Sequence, residues 1–215
     1  MKNIVYIEKP VYVGEEKNSM RDGHGTLTYA NGSTYIGEWK NNKKNGHGIK
    51  SHEDGSEYNG DWKEDMRSGQ GIFTYGNGNK YVGSWKNGMR NGKGILTLSD
   101  GSVFTGEWND SKLSCEGLFR FANGDTYVGS VRDDKMNGQG FITYVKGDTY
   151  EGAFKDGKRN GHGKFTCVKG DTYIGEFKDD KMEGKGTFTC AKNIQKSTAD
   201  TQSIPYVSNP VKRFF

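Results

Sequence analysis

The chain has 215 residues, a formal charge of +4, a mean hydropathy of −0.91 and only 31% hydrophobic residues. That is too polar for a conventional two-layer globule; the charge is too mild to point to nucleic acid, and no window reads as a signal peptide or a membrane-spanning helix. Yet 13% of residues are aromatic and 33 are glycine, which argues against disorder and concentrates apolar burial in a few large rings.

In chain order, "NIVYIEK" (Asn3 to Lys9) alternates like a strand and would cover a first edge. A 23-residue period then begins, and repeats precede any other reading. With the aromatic of Y-x-G as position 1, repeats start at Tyr12, Tyr35, Tyr58, Tyr81, Phe104, Tyr127, Tyr150 and Tyr173. Thirty of the 33 glycines fall at positions 3, 12, 14 and 21, and all four tryptophans at position 5.

Each repeat reads as a β-hairpin. Positions 1 to 6 alternate, so 1, 3 and 5 share a face. Positions 7 to 12 carry Asn, Asp, Gly, Lys and Arg and read as the turn. Positions 13 to 18 alternate again, with 14, 16 and 18 on the aromatic face, and Gly at 21 turns the chain onward. Glycines at 3 and 14 leave room for neighbouring rings to lie flat, and a ring over a glycine restores part of the lost strand stability. The fold class is all-β, an elongated, twisted, single-layer antiparallel meander of hairpins with a grooved aromatic face. Its divisions are a leading segment 1–11, an array 12–195 and a tail 196–215.

Several repeats depart from the pattern. Glu16 replaces an aromatic in the first, marking an end cap. Lys50 and His52 stand at positions 16 and 18 of the second, where they should thin the core. Cys115 replaces the position-12 glycine of the fifth, within "DSKLSC", a stretch that could bend the sheet. Val131, Phe154 and Phe177 take the Trp position in the last three, and Asn193 ends the array as its other cap.

The row Tyr35, Trp39, Tyr58, Trp62, Tyr81, Trp85, Phe104 and Trp108 is the candidate partner groove. The rings either stack only on one another or leave exposed apolar area that anchors a helix or an extended peptide. A basic edge runs along the hairpin tips: Arg21, Lys43, Lys44, Arg67, Arg90, Lys112, Lys135, Lys158, Arg159 and Lys181. It is either a solvated edge protected by charge or a surface with modest, salt-sensitive attraction to anionic lipid. His24, His47 and His162 share the generic polar position 13, and neighbouring repeats lie roughly 10 Å apart, too far for a shared metal. The same spacing disfavours a Cys167–Cys190 disulfide. The odd cysteine number fits a reducing compartment. There is no nucleophile–base constellation, and neither a metal nor another cofactor is expected.

The pattern Y-x-G-x-W-x6-G-x-G-x6-G resembles the MORN repeat (membrane occupation and recognition nexus) over residues 12 to about 195. The resemblance implies an antiparallel hairpin array acting as a non-catalytic cytoplasmic scaffold: in ciliary radial spokes, at cytoskeletal collars, at membrane junctions or on myosin tails. It also implies that some members dimerise, and phosphoinositide binding is often claimed for them. No nucleic-acid partner follows. The tail "IPYVSNPVKRFF" reads as either disordered or a docking segment.

Overall fold

The computed structural model describes residues 9–191 and 193–200, the last eight as backbone alone. All of the expected strand at Asn3 to Lys9 except Lys9, and most of the tail, lie outside the described residues. Two compact bodies form, one running to Asp100 with Trp108–Ser111, the other comprising Gly101–Glu107 and the chain from Lys112. The first contains the hairpins β1 (Val11–Lys17) and β2 (Met20–Thr28), β3 (Thr34–Lys40) and β4 (Lys43–Ser51), β5 (Glu57–Lys63) and β6 (Met66–Thr74), and β7 (Lys80–Lys86) and β8 (Met89–Thr97). Strand β9 (Val103–Asn109) follows. The second body continues with β10 (Lys112–Arg120), β11 (Thr126–Arg132), β12 (Lys135–Thr143), β13 (Thr149–Lys155), β14 (Lys158–Thr166), β15 (Thr172–Lys178), β16 (Lys181–Cys190) and β17 (Asn193–Asp200). Every element among the described residues is a strand, antiparallel to its neighbours from β1 to β8 and from β10 to β17. Strand β17 pairs with β16, so residues 196–200, assigned to the tail by the sequence pattern, continue the sheet instead.

The hairpin turn is shorter than positions 7 to 12. Only two residues turn, Asn41 and Asn42 in the second repeat, at φ 48° and 68°. Two successive left-handed residues are the type I′ geometry, whose twist matches that of the flanking strands. Positions 9 to 12 therefore belong to the second strand, and the glycine at 12 has another task. Between the pairs Gly37↔Gly48 and Trp39↔Lys44, one residue of β3 faces three of β4. Gly46, at φ 92°, takes up this bulge. The Glu38 carboxylate folds over it and accepts the His47 N–H at 2.7 Å. Asp61 does the same for Gln70 at 2.9 Å.

The glycines at 3 and 14 line up across the sheet: Gly25↔Gly37, Gly37↔Gly48 and Gly48↔Gly60. Tyr35 lies over this row. A Cβ on Gly37 would stand 2.5 Å from both Gly48 Cα and the His47 carbonyl, and one on Gly48 would enter the Tyr35 ring. The hydroxyl then donates to the Glu38 carbonyl at 2.9 Å. Tyr58, Tyr81, Tyr127 and Tyr150 repeat the arrangement, at 0% exposure.

From the third repeat on, side chains at position 22 fasten one repeat to the next. Asn79 accepts the Ser99 N–H at 2.9 Å, and Asp148, itself buried, accepts that of Val168 at 2.8 Å. The sequence pattern marks this region only as a turn, because the partner lies 20 residues away.

Candidate interaction face

The position-5 tryptophans stand edge-on between tyrosines. Trp62 lies 5.1 Å from Tyr58 of its own repeat and 5.4 Å from Tyr35 of the preceding one, with interplanar angles of 89° and 87°. Its indole N–H donates to the Gly48 carbonyl at 3.0 Å. Trp39, Trp85 and Trp108 repeat this with Gly25, Gly71 and Gly94. The alternating ladder joins seven of the eight candidate groove rings. Phe104 sits in the second body, 4.9 Å from Phe119. There Phe154 and Phe177 take the Trp place between Tyr127, Tyr150 and Tyr173.

These rings are not an open apolar surface. Trp39, Trp62, Trp85 and Trp108 are 4 to 7% exposed and Phe104 5%. Flat glycine-backed tyrosines and edge-on tryptophans cover each other, so of the two readings the rings stack on one another rather than leave exposed area. Exposed apolar residues at positions 2 and 15 lie on the opposite face: Ile36, Ile72, Val82 and Ile95 in the first body, and Val128, Phe141 and Ile174 in the second; others, Met66 and Met89 at position 9 and Val145 and Val168 at position 19, stand at the turns.

The basic edge also divides. Position-9 lysines project from the tips and pair with position-7 acids of the next repeat: Lys43 with Glu64, Lys112 with Asp133 at 2.8 Å, Lys158 with Asp179 at 3.4 Å. Lys135 and Lys181 occupy the same strand position and are exposed. Position-10 cations do not line the edge; they fold onto the aromatic face. Arg21 lies 4.3 Å from the Trp39 ring centroid, Lys44 4.4 Å from Trp62, Arg67 4.5 Å from Trp85 and Arg90 4.2 Å from Trp108. Arg21 and Arg90 also donate to the Asn42 and Ser111 carbonyls at 3.1 and 2.5 Å. In the second body Arg159, 2% exposed, pairs with Asp180 at 3.2 Å, whereas Leu113 and Met136 replace the cation. The aromatic face of the first body is thus finished by four cations, and that of the second mainly by apolar chains.

Tyr29, Tyr75 and Leu96, at positions 18 and 16, stand half-buried on the first body's face. They are not among the site residues the sequence pattern marks; their shared face with the ladder is the one signal for them. Lys50 does not leave the gap expected of it. It is 7% exposed, with its amine 3.3 Å from the Tyr29 ring centroid. Burial first, then repulsion from Lys44, pulls its pKa down to about 8.

His47 contacts Asn59 at 3.0 Å and Asp61 at 3.4 Å; among the described residues no group of three or more His, Cys, Asp or Glu could hold a metal ion. Cys115, Cys167 and Cys190 are free thiols.

A tandem array of bulged hairpins with a Tyr–Trp ladder over a glycine row defines a β-repeat protein. The MORN repeat model matches eight consecutive windows, 12–34, 35–57, 58–80, 81–103, 104–126, 127–149, 150–172 and 173–194. The chain belongs to the MORN repeat family. No curated protein is matched. Among solved structures, it is similar to the Drosophila melanogaster SAS-4 (dCPAP) TCP domain in complex with a proline-rich motif of Ana2 (dSTIL). That likeness has 15% identity and a TM-score of 0.46, covering 77% of this chain and 90% of that one. The TCP10 domain of Danio rerio CPAP has 10% identity and a TM-score of 0.48, covering 84% and 85%.

Proposed function

We propose that the chain is a non-catalytic scaffold that binds another protein on the aromatic face, chiefly on its first body, in a cytoskeletal or ciliary setting. One observation carries the reading: Arg21, Lys44, Arg67 and Arg90 are held on the Trp–Tyr ladder and flanked by half-buried Tyr29, Tyr75 and Leu96. Arginine, tyrosine and tryptophan are the residues that anchor protein interfaces. Their fixed geometry lowers the ordering cost of binding. All described elements of this body are strands of the sheet, leaving none to form a second layer over the face. The cytoskeletal or ciliary setting rests on family membership alone.

A partner meets the outer residues, so the test must spare the buried rings. The double variant Tyr29→Ser/Tyr75→Ser is compared with a control on the opposite face, Val82→Ser/Ile95→Ser, after both are shown to melt as cooperatively as wild type. Cells are extracted with detergent and the insoluble pellet is cross-linked. The face variant is expected to leave the cytoskeletal pellet and lose its cross-linked protein, while the control keeps both. Loss in the control alone, or release of wild type with the detergent-soluble membranes, would contradict the reading.

A further inference from the structure

Position 16 of the flanking repeats holds Leu27 and Phe73, both buried. The second repeat puts a lysine there. Lys50 is paired across the strands with Tyr35 on β3 and Tyr58 on β5. Among the described residues its amine has no ion pair or hydrogen bond; its one partner is the Tyr29 ring. Yet no side-chain nitrogen here is both fully buried and without a partner, so the tip of Lys50 reaches solvent while its stem is enclosed.

The groups around it are mostly cations. Lys44, on the same strand, repels it. Burial first, and then Lys50, Arg67 and Lys44, pull the His52 imidazole below its usual value, with Asp54 opposing. Arg67 on β6 lies over Trp85, Phe73 and Tyr58, and no carboxylate meets it among the described residues. Asp65 is the carboxylate of this group, 3.9 Å from Lys44. An ammonium whose stem is enclosed among rings is partly desolvated and has no anion beside it among the described residues, so an acidic group reaching it would be favoured.

We propose that Lys50, with Lys44, His52 and Arg67 around it, receives a carboxylate carried on an apolar protein segment: an Asp or Glu flanked by hydrophobic residues in the partner that docks on this face. This rests on the docking reading above and names the chemistry of the partner at one point. A bilayer headgroup fits less well. Lys50 is set flush among Tyr29, Tyr35 and Tyr58, whereas cations that meet a membrane plane must project from the surface. Among the cations that do project at position 9, Lys43, Lys112 and Lys158 are paired with acids. The anion therefore has to arrive with apolar neighbours that cover the surrounding rings.

The test uses the full chain and two fluorescent twelve-residue peptides, identical in apolar and serine residues and differing only in a central Glu or Gln. Wild type is expected to prefer the Glu peptide by about tenfold, a preference lost in Lys50→Met and kept in Lys50→Arg. The Gln peptide should bind Lys50→Met at least as well as wild type. Calorimetry at pH 8.5 in two buffers of different ionisation enthalpy should show proton uptake with the Glu peptide, absent in Lys50→Met. A Glu preference that survives in Lys50→Met overturns the assignment of Lys50, as does equal binding of both peptides to wild type; neither touches the docking reading. Failure of both peptides to bind wild type overturns the docking reading as well. Vesicles of phosphatidylcholine with phosphatidylserine form a third arm. Lys50-dependent vesicle binding without a Glu preference would assign the site to lipid and overturn the proposal.

Discussion

Cys115 holds a φ of 69°, in the left-handed region that the other seven repeats give to glycine at the same position. A side chain there costs about 1–2 kcal/mol, partly offset by the greater freedom of glycine in the unfolded chain. Cys115→Gly should therefore raise stability by about 1 kcal/mol, read as a higher urea midpoint at unchanged slope. The second residue-scale prediction concerns pH. Lys50 titrates near 8 in the folded chain against an ordinary lysine value of 10.5. The unfolded chain thus binds more protons between these values, and stability rises with pH across that window. The penalty is fully present below about 8. Buried tyrosines act oppositely: burial pushes Tyr81 up to about 12, so stability falls as pH climbs past 10. Lys50→Met should be more stable than wild type at pH 7 by about 2–3 kcal/mol, a gap that narrows toward pH 10. Denaturant titrations at pH 7, 8, 9 and 10 measure it, and a gap that stays constant would contradict the account.

At the scale of the element, the hairpin was legible because its markers are local and periodic. Glycine at 3 and 14 and an aromatic at 1 recur in every repeat without insertion, with an aromatic at 5 in all but the first and sixth, and alternation assigns them to one face. The turn was misjudged in length because Gly46 reads as turn chemistry, while its use is to absorb a bulge that Glu38 closes. The site was less legible than the fold. Arg21 and Lys44 read as tip charges because side-chain direction at a bulge does not follow simple alternation, and the rings that receive them lie in the next repeat. The ladder has its own test. Trp62→Phe removes the indole bond to Gly48 but keeps a ring, as the second body does at Phe154 and Phe177. A loss of about 1 kcal/mol is expected. Trp62→Ala empties the place between Tyr35 and Tyr58, and about 3–5 kcal/mol should be lost. Thermal or denaturant melting separates the two, and equal losses would show that the ring does not hold the ladder.

At the scale of the molecule, repeats bond to the one before through backbone, as Asn42 to Arg21, in the tryptophan repeats through the indole, as Trp39 to Gly25, and from the fourth repeat through capping side chains, as Ser99 to Asn79. Stability in such an array comes from neighbour contacts. Because the ladder completes itself internally, the proposed docking falls to the residues that close it over, which in the first body are cations and tyrosines. The most direct test is site-specific photo-cross-linking in the native cell. A benzophenone side chain replaces Tyr75 on the aromatic face, or Val82 on the opposite one. The account predicts a discrete protein adduct from position 75 that disappears when Arg67→Gln is added, and none from position 82. An adduct from position 82 with none from 75 would place the working surface on the other side of the sheet and contradict it.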